Sequence, residues 1–280
     1  MSNYFLSAIF GLVQGLTEFW PISSSGHLLI LHEILSASGR IDFIDSLSFD
    51  TALHLGTLLA LLIFFFKDIK KYFLAFLSSF VKFDPRRNED QRLAWLIAIA
   101  TIPAGLAGLF LENIINTFLR SPWWVAGMLI GVAILFIIFE KFSKKWAEIK
   151  DLSWWQSIVI GVAQAIALIP GVSRSGITII TGMAFNLKRE AAARFSFILS
   201  VPIVFGAGLK KVYDLGQAGM SNEQSYIFLI GLAVSAIVGW FAVKYLLKFL
   251  TSHSLNYFAY YRIAIGLAII GWLVWGKFYA

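Results

Sequence analysis

Gln14 and Glu18 stand four residues apart, hence on one face of a helix, inside a stretch that is otherwise apolar. A turn or so later comes Ser23-Ser24-Ser25-Gly26-His27. A second cluster, Pro170-Gly171-Val172-Ser173-Arg174-Ser175-Gly176, interrupts another apolar stretch. These residue types suit phosphate. Arg174 is a fixed cation whose fork of donors fits phosphate oxygens, and the hydroxyls and backbone N–H groups of a Gly-rich loop that opens a helix form an anion cradle. Ser23, Ser25 and Gly26 in the first loop, and Ser173, Ser175 and Gly176 in the second, are the cradle candidates. Glu18 beside the Gln14 carboxamide would hold a hard divalent cation, Mg²⁺ or Ca²⁺, against phosphate oxygens. Ser24 is placed to act as a nucleophile, with Glu18 or His27 as its base.

Each residue also has a plainer role. Serine in a membrane helix often bonds the backbone four residues back, which would account for Ser23, Ser173 and Ser175 singly. His27 could only brace its loop, and Arg174 could form a structural ion pair with Glu18. His32, His54 and His253 belong to no visible cluster and are read as structural or interfacial. Arg262, inside an apolar stretch after Tyr260 and Tyr261, either pairs internally or meets an anionic head group. Trp123, Trp124, Trp154, Trp155 and Trp275 are read as interfacial anchors.

The elements that must carry these residues are membrane helices. Of 280 residues, 59% are apolar and 14% charged, against the roughly 25% charged of a soluble domain. Mean hydropathy is +0.77. A soluble enzyme and a disordered chain are both excluded, and zero cysteines exclude disulfides, thiolate metal sites and cysteine nucleophiles. The opening Met1-Ser2-Asn3-Tyr4-Phe5 has no basic segment before its apolar run, and Gln14 and Glu18 lie within that run, so a cleavable signal peptide is not expected. Six spans are expected, at about 51–66, 93–111, 122–139, 195–209, 226–247 and 257–276. The stretches 4–35 and 154–187 contain the two Pro, Gly and Ser clusters. Non-helical backbone at membrane depth survives only where protein buries it or water reaches it. Both stretches are therefore expected to be re-entrant helix hairpins.

The basic residues fit this count. Sixteen of the 23 lysines and arginines fall between Lys67 and Arg92, Lys141 and Lys150, Lys188 and Arg194, or at Lys244 and Lys248. The other seven are Arg40, Arg120, Arg174, Lys210, Lys211, Arg262 and Lys277. Lys and Arg in short loops concentrate on the cytoplasmic side, which places both termini outside. The net charge of +7 is thus a topology signal, not a nucleic-acid footprint.

Shifting the sequence by 150 residues aligns Gly11 with Gly161, Gln14 with Gln164, Ser23 with Ser173, Ser25 with Ser175, and Gly26 with Gly176. Three expected spans separate the two hairpins, an odd number, so they enter from opposite sides. The expected fold is an all-α integral membrane domain over 1–280: six spans and two re-entrant hairpins in an inverted-topology repeat, with halves of about 1–140 and 141–280. Broken helices of such halves meet near the midplane, and matched Gly and Pro breaks point to the binding site. Close helix packing accounts for Gly11 and Gly161. It does not account for Glu18, His27 and Arg174, because charged groups in a membrane segment are costly and mark function.

The run Val13-Gln14-Gly15-Leu16-Thr17-Glu18-Phe19-Trp20-Pro21-Ile22-Ser23-Ser24-Ser25-Gly26-His27 and the run Pro170 to Thr178 closely resemble the two motifs of the bacterial undecaprenyl-diphosphate phosphatase, or bacitracin-resistance, family. Phe195-Ser196-Phe197 through Pro202, and Tyr261-Arg262, are similar too. With length and span pattern, the resemblance covers essentially the whole chain. It implies a hydrolase that removes the terminal phosphate of a C55 isoprenoid diphosphate and recycles the lipid carrier of wall polymers. It also implies a multi-pass protein of the bacterial cytoplasmic membrane whose site opens to the periplasmic or outer side, with bacitracin competing for the substrate. The acidic motif of that family admits Glu or Gln first and Glu second, here Gln14 and Glu18; Gln14 weakens a two-carboxylate metal site, so a cation would lean on Glu18 and the diphosphate. The serine falls on Ser24, with Ser25 where Thr is common. The arginine falls on Arg174, flanked by Ser173 and Thr178, and Asp151 matches a position that matters in relatives. A homodimer is admitted.

Two other readings compete with this one. Ser25-Gly26-His27 and Ser173-Arg174 superficially match the acid-phosphatase type of lipid phosphatase, but its later His and Asp would fall on Ile180 and Ala184. A transporter or lipid flippase shares inverted repeats with broken helices, although Ser, Arg and Glu at the breaks favour phosphate chemistry.

Overall fold

The computed structural model describes residues 3–37, 46–218 and 221–279. Arg40 lies outside the described residues, as do the side chains of Lys211 and Lys277. Among the described residues there are eleven α-helices: α1 (Asn3–Phe19), α2 (Ser24–Ala37), α3 (Ser46–Phe64), α4 (Phe66–Ser79), α5 (Glu89–Phe118), α6 (Pro122–Phe142), α7 (Trp154–Ile166), α8 (Arg174–Ala184), α9 (Arg189–Ala218), α10 (Asn222–Leu250) and α11 (Asn256–Tyr279). A short 3₁₀ turn, Ile149–Asp151, precedes α7. Five helical segments are long and apolar enough to cross a bilayer: Glu89–Leu111, Pro122–Phe142, Arg189–Lys210, Asn222–Leu250 and Asn256–Trp275. The bent pair α3 and α4 brings the number to as many as six. The chain is an all-helical membrane protein. Its outer surface agrees, since large apolar side chains such as Leu109, Phe110 and Ile237 are exposed.

Local signals set the helix starts. Asn88 accepts from the N–H groups of Asp90 and Gln91 to cap α5, and Ser121 with Pro122 opens α6. Ser153 with Gln156 and Ser221 with Gln224 form reciprocal capping boxes on α7 and α10.

Helix α4 corrects the expected loop. Lys67, Lys70 and Lys71 follow the span at 51–66 and read as loop charges, yet they lie on a helix that turns 85° from the preceding Ala52–Phe64 segment. The charges occupy one side only. Ile69, Tyr72 and Ala75 recur at helical spacing and pack inward, while Lys71 and Asp68 pair with Asp90 at 2.8 Å and Arg194 at 2.6 Å.

Two close helix contacts repeat between the halves. Helix α1 lies along α10, and a Cβ added at Gly11 would stand 2.6 Å from the Gly231 carbonyl oxygen. Helix α7 lies along α5, and a Cβ at Gly161 would stand 2.8 Å from Ala100 Cα. Packing between apolar helices in lipid relies on such approaches, because lipid tails are as apolar as the side chains. Each contact seats the helix that leads into a break.

Candidate active site

The first break begins where α1 ends. Pro21 has no N–H to donate, and the Ile22 N–H closes a tight turn onto the Trp20 carbonyl at 2.7 Å. Ser23 then takes φ 75°, and its Oγ accepts from the Gly26 N–H at 3.3 Å, capping α2. The second break repeats this. Ser173 has φ 75°, and its Oγ accepts from the Gly176 N–H at 3.1 Å, capping α8. Ser23 and Ser25 hydroxyls are 3.3 Å apart, and Ser173 and Ser175 hydroxyls 3.2 Å. A positive φ at a non-glycine residue costs on the order of 1–3 kcal/mol and persists only where the surrounding structure enforces it.

Gly171 sets up the second turn with φ +93°, and a Cβ there would stand 2.7 Å from the Val125 carbonyl oxygen. Gly171→Ala is therefore expected to destabilise the protein by more than ~1 kcal/mol, read as a lower unfolding temperature in detergent. An unchanged temperature would show that the turn tolerates a side chain.

Three sequence-selected residues meet around the Glu18 carboxylate. Ser24 donates to Glu18 Oε2 at 2.6 Å, and Gln14 Nε2 donates to the same oxygen at 3.1 Å. Arg174 Nη2, from the other half of the chain, donates to Glu18 Oε1 at 2.7 Å. Glu18 is buried, so this ion pair has little water to screen it. Glu18, Ser24 and Arg174 line a cavity of about 280 Å³, together with Ser25, Ser173 and the apolar Leu168, Ile203, Val204 and Ala207. The lining thus offers both charged and hydroxyl groups and apolar side chains.

The first turns of α2 and α8 add to this electrostatics. Each exposes N–H groups that have no acceptor inside the helix, and each carries the positive end of its helix dipole. The serine caps use one N–H in each turn, that of Gly26 and of Gly176. The N–H groups of Ser24 and Ser25, and of Arg174 and Ser175, belong to the same first turns.

His54 joins the site, although no cluster was visible around it in the sequence. Its Nε2 lies 3.4 Å from Glu18 Oε2, and its Nδ1 is 2.6 Å from the Asp50 carbonyl oxygen. A carbonyl can only accept, so Nδ1 carries a hydrogen and Nε2 is the nitrogen through which a proton can pass to the carboxylate. A histidine within the apolar run 51–66 was itself the signal, because ionisable groups in a membrane segment are costly.

His27 stands elsewhere. Its Nδ1 meets the Ser23 carbonyl at 2.7 Å and its Nε2 the Tyr261 hydroxyl at 2.9 Å, with the two rings stacked. Thr178 donates to the Arg174 carbonyl at 2.7 Å and touches the Ser196 hydroxyl at 2.6 Å, bracing the start of α8. Ser175 reaches across to the Trp20 carbonyl at 3.4 Å, one of the ties between the breaks. Asp151 is engaged in the 3₁₀ turn, accepting from the Glu148 N–H at 2.8 Å. Arg262, left open between an internal partner and a head group, is fully buried and donates to backbone carbonyls of both breaks, among them Pro21 and Gly171.

Among the described residues, no three His, Asp or Glu side chains converge as cation ligands. The donors present fit a cation shared with a substrate. Gln14 Oε1 is buried without a partner, in the carboxamide whose Nε2 touches Glu18. An unused acceptor beside a carboxylate suits a hard cation that takes its remaining ligands from phosphate.

The family model described as bacitracin resistance protein BacA matches residues 7–268. An undecaprenyl-diphosphatase of Rubrobacter xylanophilus is 43% identical over 268 residues, covering 96% of this chain and 97% of the relative. Undecaprenyl-diphosphatases of Thermomicrobium roseum and Chlorobaculum tepidum are 39% and 40% identical, each over 96% of this chain and 97% and 96% of the relative. The match takes in both breaks, His54 and Arg262, so the chain belongs to the bacitracin resistance protein BacA family.

Proposed function

We infer that the chain is an undecaprenyl-diphosphatase: it hydrolyses undecaprenyl diphosphate to undecaprenyl phosphate and inorganic phosphate. The observation that carries this reading is the joining of Glu18 and Ser24 from one half with Arg174 from the other, in the lining of a cavity that also has apolar side chains. The diphosphate would meet these charged and hydroxyl groups, and the isoprenoid the apolar side chains.

In the proposed reaction Ser24 Oγ attacks the distal phosphorus while its proton passes to Glu18, already 2.6 Å away. The bond from that phosphorus to the bridging oxygen breaks, and undecaprenyl phosphate leaves. Water then hydrolyses the phosphoserine, releasing inorganic phosphate and restoring Ser24. Arg174 stabilises charge on the phosphoryl oxygens; one Nη holds Glu18 and the guanidinium has further donors to give. His54, 3.4 Å from Glu18, can exchange a proton with it. A divalent ion, Mg²⁺ or Ca²⁺, would be held by Glu18, Gln14 and the diphosphate, and would neutralise phosphate charge.

We read α1 with α2 and α7 with α8 as re-entrant hairpins of two inverted halves, about 1–140 and 141–280. The paired φ of 75°, the paired serine caps and the paired glycine contacts support it. The distribution of basic residues supports both termini and the site on the outer side of the bacterial cytoplasmic membrane. Hydrolysis there would recycle the lipid carrier and deprive bacitracin of its target.

Phosphate release from undecaprenyl diphosphate by detergent-purified protein tests the reading. Wild type is expected to release phosphate and to stop when EDTA is added. Ser24→Ala is expected to lose more than about 10³-fold in kcat, and rapid acid quench of wild type to trap a phosphoserine at Ser24. Substantial activity in Ser24→Ala would replace the covalent route with direct attack by water. No release by folded wild type supplied with Mg²⁺ or Ca²⁺ would move the assignment to lipid transport.

A further inference from the structure

Gln164 stands on α7, is 2% exposed, and lines the cavity that holds Glu18 and Arg174. Neither Oε1 nor Nε2 of its carboxamide has a hydrogen-bond partner within the protein. The comparison of the two halves explains why. Gln14, its counterpart on α1, gives Nε2 to Glu18 one turn later, whereas the residue one turn after Gln164 is Leu168. The first carboxamide is partly used by the protein and the second is wholly unused. A buried amide without partners is costly, and so marks a place where something else supplies them.

We propose that Gln164 is a phosphate-binding residue, facing the same phosphate as Ser24 and Arg174. Its Nε2 donates to a non-bridging oxygen of the distal phosphate, and its Oε1 accepts from the hydroxyl of that phosphate in its monoprotonated form. The pairing of one donor with one acceptor selects this ligand. An isoprenoid tail offers neither, and a bare cation would engage Oε1 while leaving Nε2 without an acceptor. A phosphate that keeps one proton offers both. The identity of the lipid rests on the hydrolase reading above, but the binding of inorganic phosphate does not.

The test uses full-length protein in detergent with inorganic phosphate as the probe. Two quantities are measured: the rise in unfolding temperature with added phosphate, and inhibition by phosphate of undecaprenyl phosphate formation, followed on the lipid product. Wild type is expected to show both. In Gln164→Leu the apparent affinity for phosphate is expected to fall about tenfold or more. The same variant without phosphate is expected to unfold at the wild-type temperature or above, because an apolar side chain of similar size replaces an unpaired amide. A purely structural glutamine would lower that temperature and leave phosphate affinity alone. Gln164→Met carries the same comparison if the leucine variant does not fold. Wild-type phosphate affinity in either variant, or no response of wild type to phosphate, overturns the proposal. Phosphate binding that Gln164→Leu abolishes, in a protein that hydrolyses no undecaprenyl diphosphate, would uphold this site and remove the hydrolase reading instead.

Discussion

Glu18→Gln is expected to lower kcat for phosphate release by roughly 10²–10⁴-fold, the usual contribution of a positioned general base. The substitution keeps the size of the side chain and an oxygen for Ser24 to donate to. What it removes is the capacity to take the serine proton and the negative charge that aligns Arg174 at 2.7 Å. Arg174→Ala is expected to lose activity on a similar scale, since an arginine on a transferred phosphoryl group contributes about 10³–10⁵ in rate. The two losses should not add. Glu18 and Arg174 touch, and residues in one network show coupling energies of about 0.5–3 kcal/mol. The double variant should therefore be about 2- to 150-fold more active than the product of the two defects. Measured in one preparation, with unfolding temperatures to confirm folding, strict multiplication of the two defects would show that the breaks act independently.

The site was legible in outline because its residues are expensive where they stand. Glu18 and Arg174 are charges in apolar stretches, and the Pro, Gly and Ser clusters beside them break helices that would otherwise run on. The offset of 150 residues then paired the two breaks. What it could not supply was the partner each polar group would choose. His27 ends the serine-rich cluster while His54 stands alone in an apolar run, and only the packing of α3 against α1 sets His54 at Glu18 while His27 turns to Tyr261. Gln164 was visible as the mate of Gln14, but its lack of a partner became apparent only in three dimensions. Helix α4 was hidden for another reason. Its lysines ended the apolar run that defined a span, and periodicity across that change in composition was the signal that counted.

Arg262 carries the second large expected effect, through stability first and activity after it. The side chain is 0% exposed. Its Nε donates to the Leu129 carbonyl at 3.2 Å and its Nη1 to Pro21 at 3.2 Å. Its Nη2 lies 3.2 Å from Met128, 2.8 Å from Gly171 and 3.2 Å from Val172, all carbonyl oxygens. The guanidinium also sits 5.4 Å over the Phe136 ring, a favourable place for a buried cation. One residue of α11 therefore ties both breaks to α6, and the Pro21, Gly171 and Val172 carbonyls it meets lie outside any helix. Arg262→Met keeps much of the apolar stem and removes every donor. Each buried carbonyl left without a partner costs ~1–3 kcal/mol, and several at once approach the ~5–15 kcal/mol that holds a typical fold together. The expected result is poor accumulation or a steep drop in unfolding temperature. Arg262→Lys, a cation with three donors, should recover part of the stability and less of the activity, because an ammonium cannot span the planar arrangement of acceptors. In folded Arg262→Lys the defect should appear in kcat more than in KM, since Pro21 and Gly171 fix the turns that aim Ser24 and Arg174. Wild-type melting and turnover in Arg262→Met would mean that the breaks hold their shape without this tie, and that their alignment comes from the serine caps and the Glu18–Arg174 pair alone.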